Sequence, residues 1–183
     1  LDQLDAGESD KPRDPANWKL ARFVEELDTV RRQLAPGPVH VLGGSWGSTL
    51  LMEWLVTHQP SDIRSIMFIC PTLDLARADA ARRAAQLQLS PDSRAAFQAA
   101  QPNQPPTSAL IAANQEYVRT FIARYAPPEM RGGPPDVEFI RAMTPDMRSW
   151  NRAPELASLK APVLFLRGEY DYITEADLRA RGV

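Results

Sequence analysis

The chain has 183 residues, of which 44% are apolar, and a net charge of −2. That allows one domain, or a core with a small insert, and excludes both the basic stripe of a nucleic-acid binder and a polybasic patch for anionic lipid. No apolar run nears the ~20 residues of a membrane-spanning helix. The acidic start Leu1-Asp2-Gln3-Leu4-Asp5 lacks the basic and apolar regions of a signal peptide, and the lone cysteine, Cys70, cannot form an internal disulfide, so the expected home is a reducing cytoplasm.

Asp14-Pro15-Ala16-Asn17 reads as a helix start, with Asp or Asn to cap it and Pro tolerated in the first turn. Leu20, Phe23, Val24, Leu27, Val30 and Leu34 follow at helical spacing and predict one apolar stripe. Pro36-Gly37-Pro38 ends that helix, and Val39-His40-Val41-Leu42 is a short strand. Residues 48–58 read as a buried, almost wholly apolar helix stopped at Gln59-Pro60. Residues 63–70 form a second strand, apolar enough to be covered on both faces. Strand, helix, strand in succession predicts parallel pairing.

From residue 74 the character changes. Helices are expected near 75–89, 92–100, 107–125 and 135–143, separated by proline-rich breaks at 102–106, 127–128 and 134–135. Pro162 to Gly168 then returns to a strand ending at glycine, with Glu169-Tyr170-Asp171 directly after it. The expected organisation is a core over 1–73, a helical cap insert over 74–150, and the rest of the core over 151–183. An independent helical domain is the alternative for the middle zone.

Gly43-x-Ser45-x-Gly47 lies between a predicted strand and a predicted helix, the context in which G-x-S-x-G marks the nucleophile turn of an α/β-hydrolase. A sharp reversal holds the serine in a strained backbone conformation, and Gly43 and Gly47 leave room where strand and helix approach. Ser45 is then the expected nucleophile, and the Trp46 backbone N–H the expected oxyanion donor at a helix N-terminus. Asp171, at a strand's C-terminal end, is the expected acid, which would orient a histidine; Glu169 is the weaker competitor. The base is the difficulty, because His40 lies inside a strand and His58 roughly 15–20 Å along the helix from Ser45. His40 reads as a structural histidine and His58 as a support for its helix end, so the catalytic histidine is expected beyond Val183.

Residues 2–12, Asp2-Gln3-Leu4-Asp5-Ala6-Gly7-Glu8-Ser9-Asp10-Lys11-Pro12, resemble the D-Q-x-G-x-G-x-S-D-x-P stretch of proline iminopeptidases, the prolyl aminopeptidases of serine peptidase family S33. Gly43 to Leu50 is similar to their nucleophile segment, and Gly168-Glu169-Tyr170-Asp171 to their acid turn. The resemblance implies a mostly parallel α/β-hydrolase sheet with an inserted helical cap. That sheet would lack here its N-terminal strands, the H-G-G-P-G oxyanion loop and the histidine segment. It implies release of an N-terminal residue, often proline, from small peptides, with Ser45 as nucleophile and Asp171 as acid, and neither cofactor nor metal. Two departures bear on substrate. Asp5 stands where the family has Gly, and no G-P-x-E-F-like segment reads between Met143 and Leu159. Glu116, Glu129, Glu138 and Asp136 are then the candidates for binding a substrate amine. The competing readings are a general esterase or amidase acting on small amides or esters, and a catalytically incomplete fragment that only binds. An isolated chain with unpaired sheet edges is also expected to be poorly stable.

Overall fold

The computed structural model describes residues 1–101, 104–122, 137–168, 171 and 178–179. The chain forms two compact units, one built on Leu1–Ala76 and Glu138–Arg167, the other on Arg77–Val137 and Gly168–Tyr172.

In the first unit the Asp14 carboxylate accepts from the Ala16 N–H, but it caps a separate 3-10 turn, Pro15–Asn17. Helix α1 (Leu20–Leu34) starts only afterwards, at Lys19, without a side-chain cap. Its stripe is buried at Leu20, Phe23 and Val24, half-buried at Leu27 and Val30, and lost at Leu34, which is 79% exposed. Strand β1 (Val39–Gly44) leads through Ser45 into α2 (Trp46–His58). Leu50, Leu51, Met52, Trp54 and Leu55 of α2 are all buried, which is why this helix carries almost no polar face. Gln59 ends it in the left-handed conformation, its N–H bonded to the Leu55 carbonyl.

Strands β2 (Ile63–Ile69) and β3 (Val163–Leu166) complete a parallel three-stranded sheet in the order β1-β2-β3. The register sets Gly44 beside Ile69 and Ile69 beside Leu166, so all three strands end level at the C-terminal edge, where Ser45 stands. One face is buried through Ile66 and Phe68, with the Phe68 and Phe165 rings 5.4 Å apart. The other face is not covered as the apolar run 63–70 predicts: neighbouring Leu42, Leu164 and Leu166 are 62%, 49% and 45% exposed. On that face Met67 and Ile69 of β2 are half-buried, while the leucines of β1 and β3 beside them stand exposed. Among the described residues, no helix is long and apolar enough to cross a membrane.

Beyond β2, Asp74 and Asn151 form an antiparallel bridge, and the Arg152 N–H donates to the Leu73 carbonyl at 2.8 Å. This pairing of residues 73–74 with 151–152 forms a short stem within the first unit. Glu53 of α2 grips its return strand: the carboxylate accepts from Arg152 Nε (2.8 Å), Arg152 Nη2 (2.9 Å) and Trp150 Nε1 (2.7 Å). In the second unit, α3 (Leu75–Gln86), α4 (Pro91–Ala99) and α5 (Ser108–Tyr117) fall where the periodicity predicts helices, and α5 runs on as a wider π-helical turn, Val118–Ile122. Prolines 102, 127, 128, 134 and 135 lie outside the described residues. Helix α6 (Val137–Met147), read from sequence as part of the insert, belongs by its contacts to the first unit. The reason is apolar: Met143 and Met147 are buried, and Phe139 meets the rings of Trp18 and Phe23 at 5.9 and 5.8 Å.

Two outcomes follow. The hydrogen bonds from Arg152, opposed by partial burial, hold the Glu53 carboxyl below its ordinary 4.5. Its contribution is therefore complete above pH 4.5 and lost as pH falls through the lowered value. Glu53→Gln should cost about 2 kcal/mol at pH 7 by chemical denaturation, with the gap to the parent closing below pH 4 to 5; a gap independent of pH would contradict the ion-pair assignment. Separately, sedimentation of the isolated chain should show self-association that Leu42→Lys with Leu164→Lys suppresses, and a monomeric parent would contradict this.

Candidate active site

Ser45 sits at φ 49°, ψ −119°, a conformation a non-glycine residue holds only where its surroundings over-determine it. Those surroundings are visible. The Ser45 N–H donates to the Ile69 carbonyl of β2 at 2.9 Å, and the Ser45 carbonyl accepts from both the backbone N–H (2.9 Å) and the hydroxyl of Ser48. A serine at the start of a helix ordinarily turns its hydroxyl back to cap the first N–H groups. Ser45 makes no such bond, and it is exposed at the sheet's C-terminal edge, so its hydroxyl is not spent on the helix.

The glycine requirement is one-sided. A Cβ on Gly43 would lie 2.5 Å from the Gly47 carbonyl oxygen and 2.9 Å from the Ser48 Cα, whereas a Cβ on Gly47 would meet no atom within 4 Å among the described residues. Room is thus needed at Gly43, and Gly47 contributes the backbone that makes the approach close.

Trp46 opens α2, so its N–H belongs to the first turn, which has no acceptor in a preceding turn. Its indole Nε1 donates to Gln3 Oε1 at 2.7 Å, and its ring meets Phe139 of α6 edge-on at 6.4 Å. The N-terminal segment is pinned by Asp5, at φ 69°, whose carboxylate accepts from the Arg13 N–H (2.8 Å) and Trp18 Nε1 (2.7 Å). A glycine would suit that left-handed position; aspartate tolerates it and gains two hydrogen bonds there.

Asp171 follows the end of β3 by a short turn, its N–H bonded to the Gly168 carbonyl at 3.1 Å. One carboxylate oxygen, Oδ2, is buried without a hydrogen-bond partner among the described residues, where an ionised carboxylate needs a donor. Asp171 belongs to the second unit and Ser45 to the first, so each is described within its own unit. Glu169 lies outside the described residues.

Both histidines are engaged elsewhere. His40 Nδ1 lies 2.7 Å from Ser65 Oγ, across the β1–β2 pair. His58 stands in the last turn of α2, as read from sequence, and its ring also reaches α1: Nε2 faces Glu25 at 3.2 Å and Nδ1 faces Asp28 at 3.6 Å. Glu25, Asp28 and His58 bring ligand atoms within 4.8 Å of one another. Asp28 already accepts from Trp54 Nε1 (3.0 Å) and pairs with Arg32 (2.6 Å), so the group is a polar junction between α1 and α2.

Of the acidic candidates for an amine, Glu116 is saturated. The Ser93 hydroxyl, the Ser90 N–H and the Ser90 hydroxyl donate to it and hold its carboxyl at about 2. Glu138 pairs with exposed Arg13 at 3.5 Å and adjoins Phe139, which touches Trp46. Glu129 and Asp136 lie outside the described residues. The sequence reading missed Gln3 and Ser48; the signal for Ser48 was a pair of hydroxyl residues, Ser48 and Thr49, in an otherwise apolar buried helix.

A family model described as the alpha/beta hydrolase fold matches residues 1–178, and the chain belongs to that family. Within it the chain is similar to proline iminopeptidases: 47% identical over 72 residues to that of Heyndrickxia coagulans (39% of this chain, 25% of the relative) and 36% over 119 residues to that of Levilactobacillus brevis (64% and 40%). Solved structures of the same fold include the proline iminopeptidase of Mycobacterium smegmatis (TM-score 0.68, 23% identity) and VinJ (TM-score 0.74, 19% identity). Each is matched over 98% of this chain and 66% of its own. The chain thus spans between a quarter and two fifths of the length of these curated relatives.

The contrast at the two glycines is directly testable. Gly43→Ala should cost about 2 kcal/mol of stability through the clash with the Gly47 backbone. Gly47→Ala should leave stability equal or raise it by up to ~1 kcal/mol, since alanine suits a helix better. Denaturant unfolding of the two variants reads this, and equal losses would contradict the geometry.

Proposed function

We propose that this chain is the nucleophile-bearing part of a serine hydrolase of the proline iminopeptidase type, which releases an N-terminal residue, often proline, from small peptides through an acyl-enzyme. The observation that carries the proposal is the exposed, uncapped Ser45 at positive φ between β1 and α2. Ser45 Oγ attacks the scissile carbonyl, and its proton passes to a histidine base. His40 and His58 are both engaged with other partners, so the proposal requires that histidine from outside residues 1–183. As the carbonyl oxygen becomes an oxyanion, the Trp46 N–H stabilises it at the positive end of α2. Asp171 holds the imidazole in the correct tautomer and stabilises the imidazolium; its buried, unpartnered Oδ2 fits an acceptor of that kind. The imidazolium gives that proton to the leaving amine as the C–N bond breaks and the acyl-enzyme forms; the same histidine then deprotonates the water that attacks the ester and returns the proton to Ser45 Oγ as the acyl group leaves.

An aminopeptidase must also hold a free ammonium, and Glu138 fits better than Glu116, whose oxygens already accept from Ser90 and Ser93. The mechanism needs neither metal nor cofactor, and the single cysteine fits work in a reducing cytoplasm.

The test is a panel of proline arylamide and acyl ester substrates, run on the protein expressed from its complete reading frame. Arylamide turnover should be readily measured and should fall by at least ~1,000-fold in Ser45→Ala. Ester turnover without aminopeptidase activity would replace the peptidase reading with a general esterase or amidase. Unchanged turnover in Ser45→Ala would end the hydrolase reading.

A further inference from the structure

Ser48 follows the nucleophile by three residues and is fully buried (0% exposed); besides its backbone N–H bond to the Ser45 carbonyl, its side chain makes two hydrogen bonds. Its hydroxyl donates to the Ser45 carbonyl, and its Oγ accepts from the Thr72 N–H at 2.9 Å. The second bond fixes the sense of the first. With Thr72 donating to Oγ, the hydroxyl proton is directed at Ser45, and the two bonds polarise each other in line. Thr49 Oγ1 donates separately to the Thr72 carbonyl at 2.9 Å, a group that Ser48 does not touch. Thr72 also leads into the stem, where Leu73 and Asp74 are tied to Arg152 and Asn151.

The carbonyl of Ser45 and the N–H of Trp46 are the two ends of one peptide unit. That unit is planar and trans, so its C=O and N–H point in opposite directions. Whatever fixes the Ser45 carbonyl also aims the Trp46 N–H. At φ 49°, ψ −119° Ser45 is in a sparsely populated conformation, and its ψ is set by the orientation of this peptide. We propose that Ser48 is a positioning residue whose hydroxyl, anchored on Thr72, locks the 45–46 peptide plane and thereby aims the Trp46 N–H at the developing oxyanion. The inference rests on the reading of Ser45 as nucleophile and Trp46 N–H as oxyanion donor. It adds to that reading a residue that never touches substrate and an anchor that leads into the stem.

An oxyanion donor acts on the transition state and leaves ground-state binding alone, so a mis-aimed donor lowers kcat and spares KM. The experiment compares Ser48→Ala with Thr49→Val in the protein expressed from its complete reading frame. The substrate is whichever of proline arylamide or acyl ester the parent turns over. Thr49→Val is the matched control: it removes a buried bond to the same residue, Thr72, but none to Ser45. The expected result is a kcat at least ~10-fold lower in Ser48→Ala with KM within about twofold, and a kcat near the parent's in Thr49→Val at a similar loss of melting temperature. Equal kcat losses in the two variants, or a Ser48→Ala effect confined to KM, would reduce Ser48 to a structural role and overturn the proposal. A parent that turns over neither substrate would sink the hydrolase reading, and this inference with it. A parent that is active alongside an equally active Ser48→Ala sinks the inference alone.

Discussion

The rest of the structure depends on how closely β1 and α2 pass. Gly43 and the Gly47–Ser48 backbone are separated by less than a side chain can occupy, so one residue must reverse the chain with no slack on either side. That residue is Ser45. The reversal forces it to positive φ, and two backbone bonds at its own amide and carbonyl, together with the Ser48 hydroxyl, keep it there. The strain and the exposure of its oxygen have the same cause. A serine in relaxed N-cap geometry would have spent its hydroxyl on α2.

Everything around the turn braces it. The sheet supplies the Ile69 carbonyl to the Ser45 N–H, and the level ends of β1, β2 and β3 set the edge on which the site is built. The apolar run of α2 buries the helix so that its N-terminus cannot shift, while its few polar groups reach outward to the stem: Ser48 and Thr49 to Thr72, and Glu53 to Trp150 and Arg152. From the other side Gln3 and Phe139 hold the Trp46 ring. Segments distant in sequence therefore meet on one helix, the helix that Ser45 opens.

Much of this was legible in the sequence, for local reasons. The turn motif, the period-3.6 stripe of α1 and the short β-branched strands each follow from contacts between near neighbours, and parallel pairing follows from their order. The parts that could not be read depend on distant partners. That α6 leaves the insert follows from Phe139 finding Trp18, Phe23 and Trp46. That Asp5 can stand where a glycine is usual follows from donors supplied by Arg13 and Trp18. That Asp14 caps only a short turn follows from the break before Lys19. The apolar run of β2 predicted cover on two faces, but hydrophobicity records what a strand can bury, and Leu42, Leu164 and Leu166 remain exposed. The same limit applies to the histidines: their types could be read, but Ser65, Glu25 and Asp28 as their partners could not.

The central claim is that this geometry makes Ser45 a nucleophile. Its most direct test is reaction of the protein from the complete reading frame with a fluorophosphonate, with the adduct located by tandem mass spectrometry. The account predicts a single phosphonylated site, at Ser45. A protein that stays unmodified, or one modified at another serine while Ser45 is untouched, would contradict it.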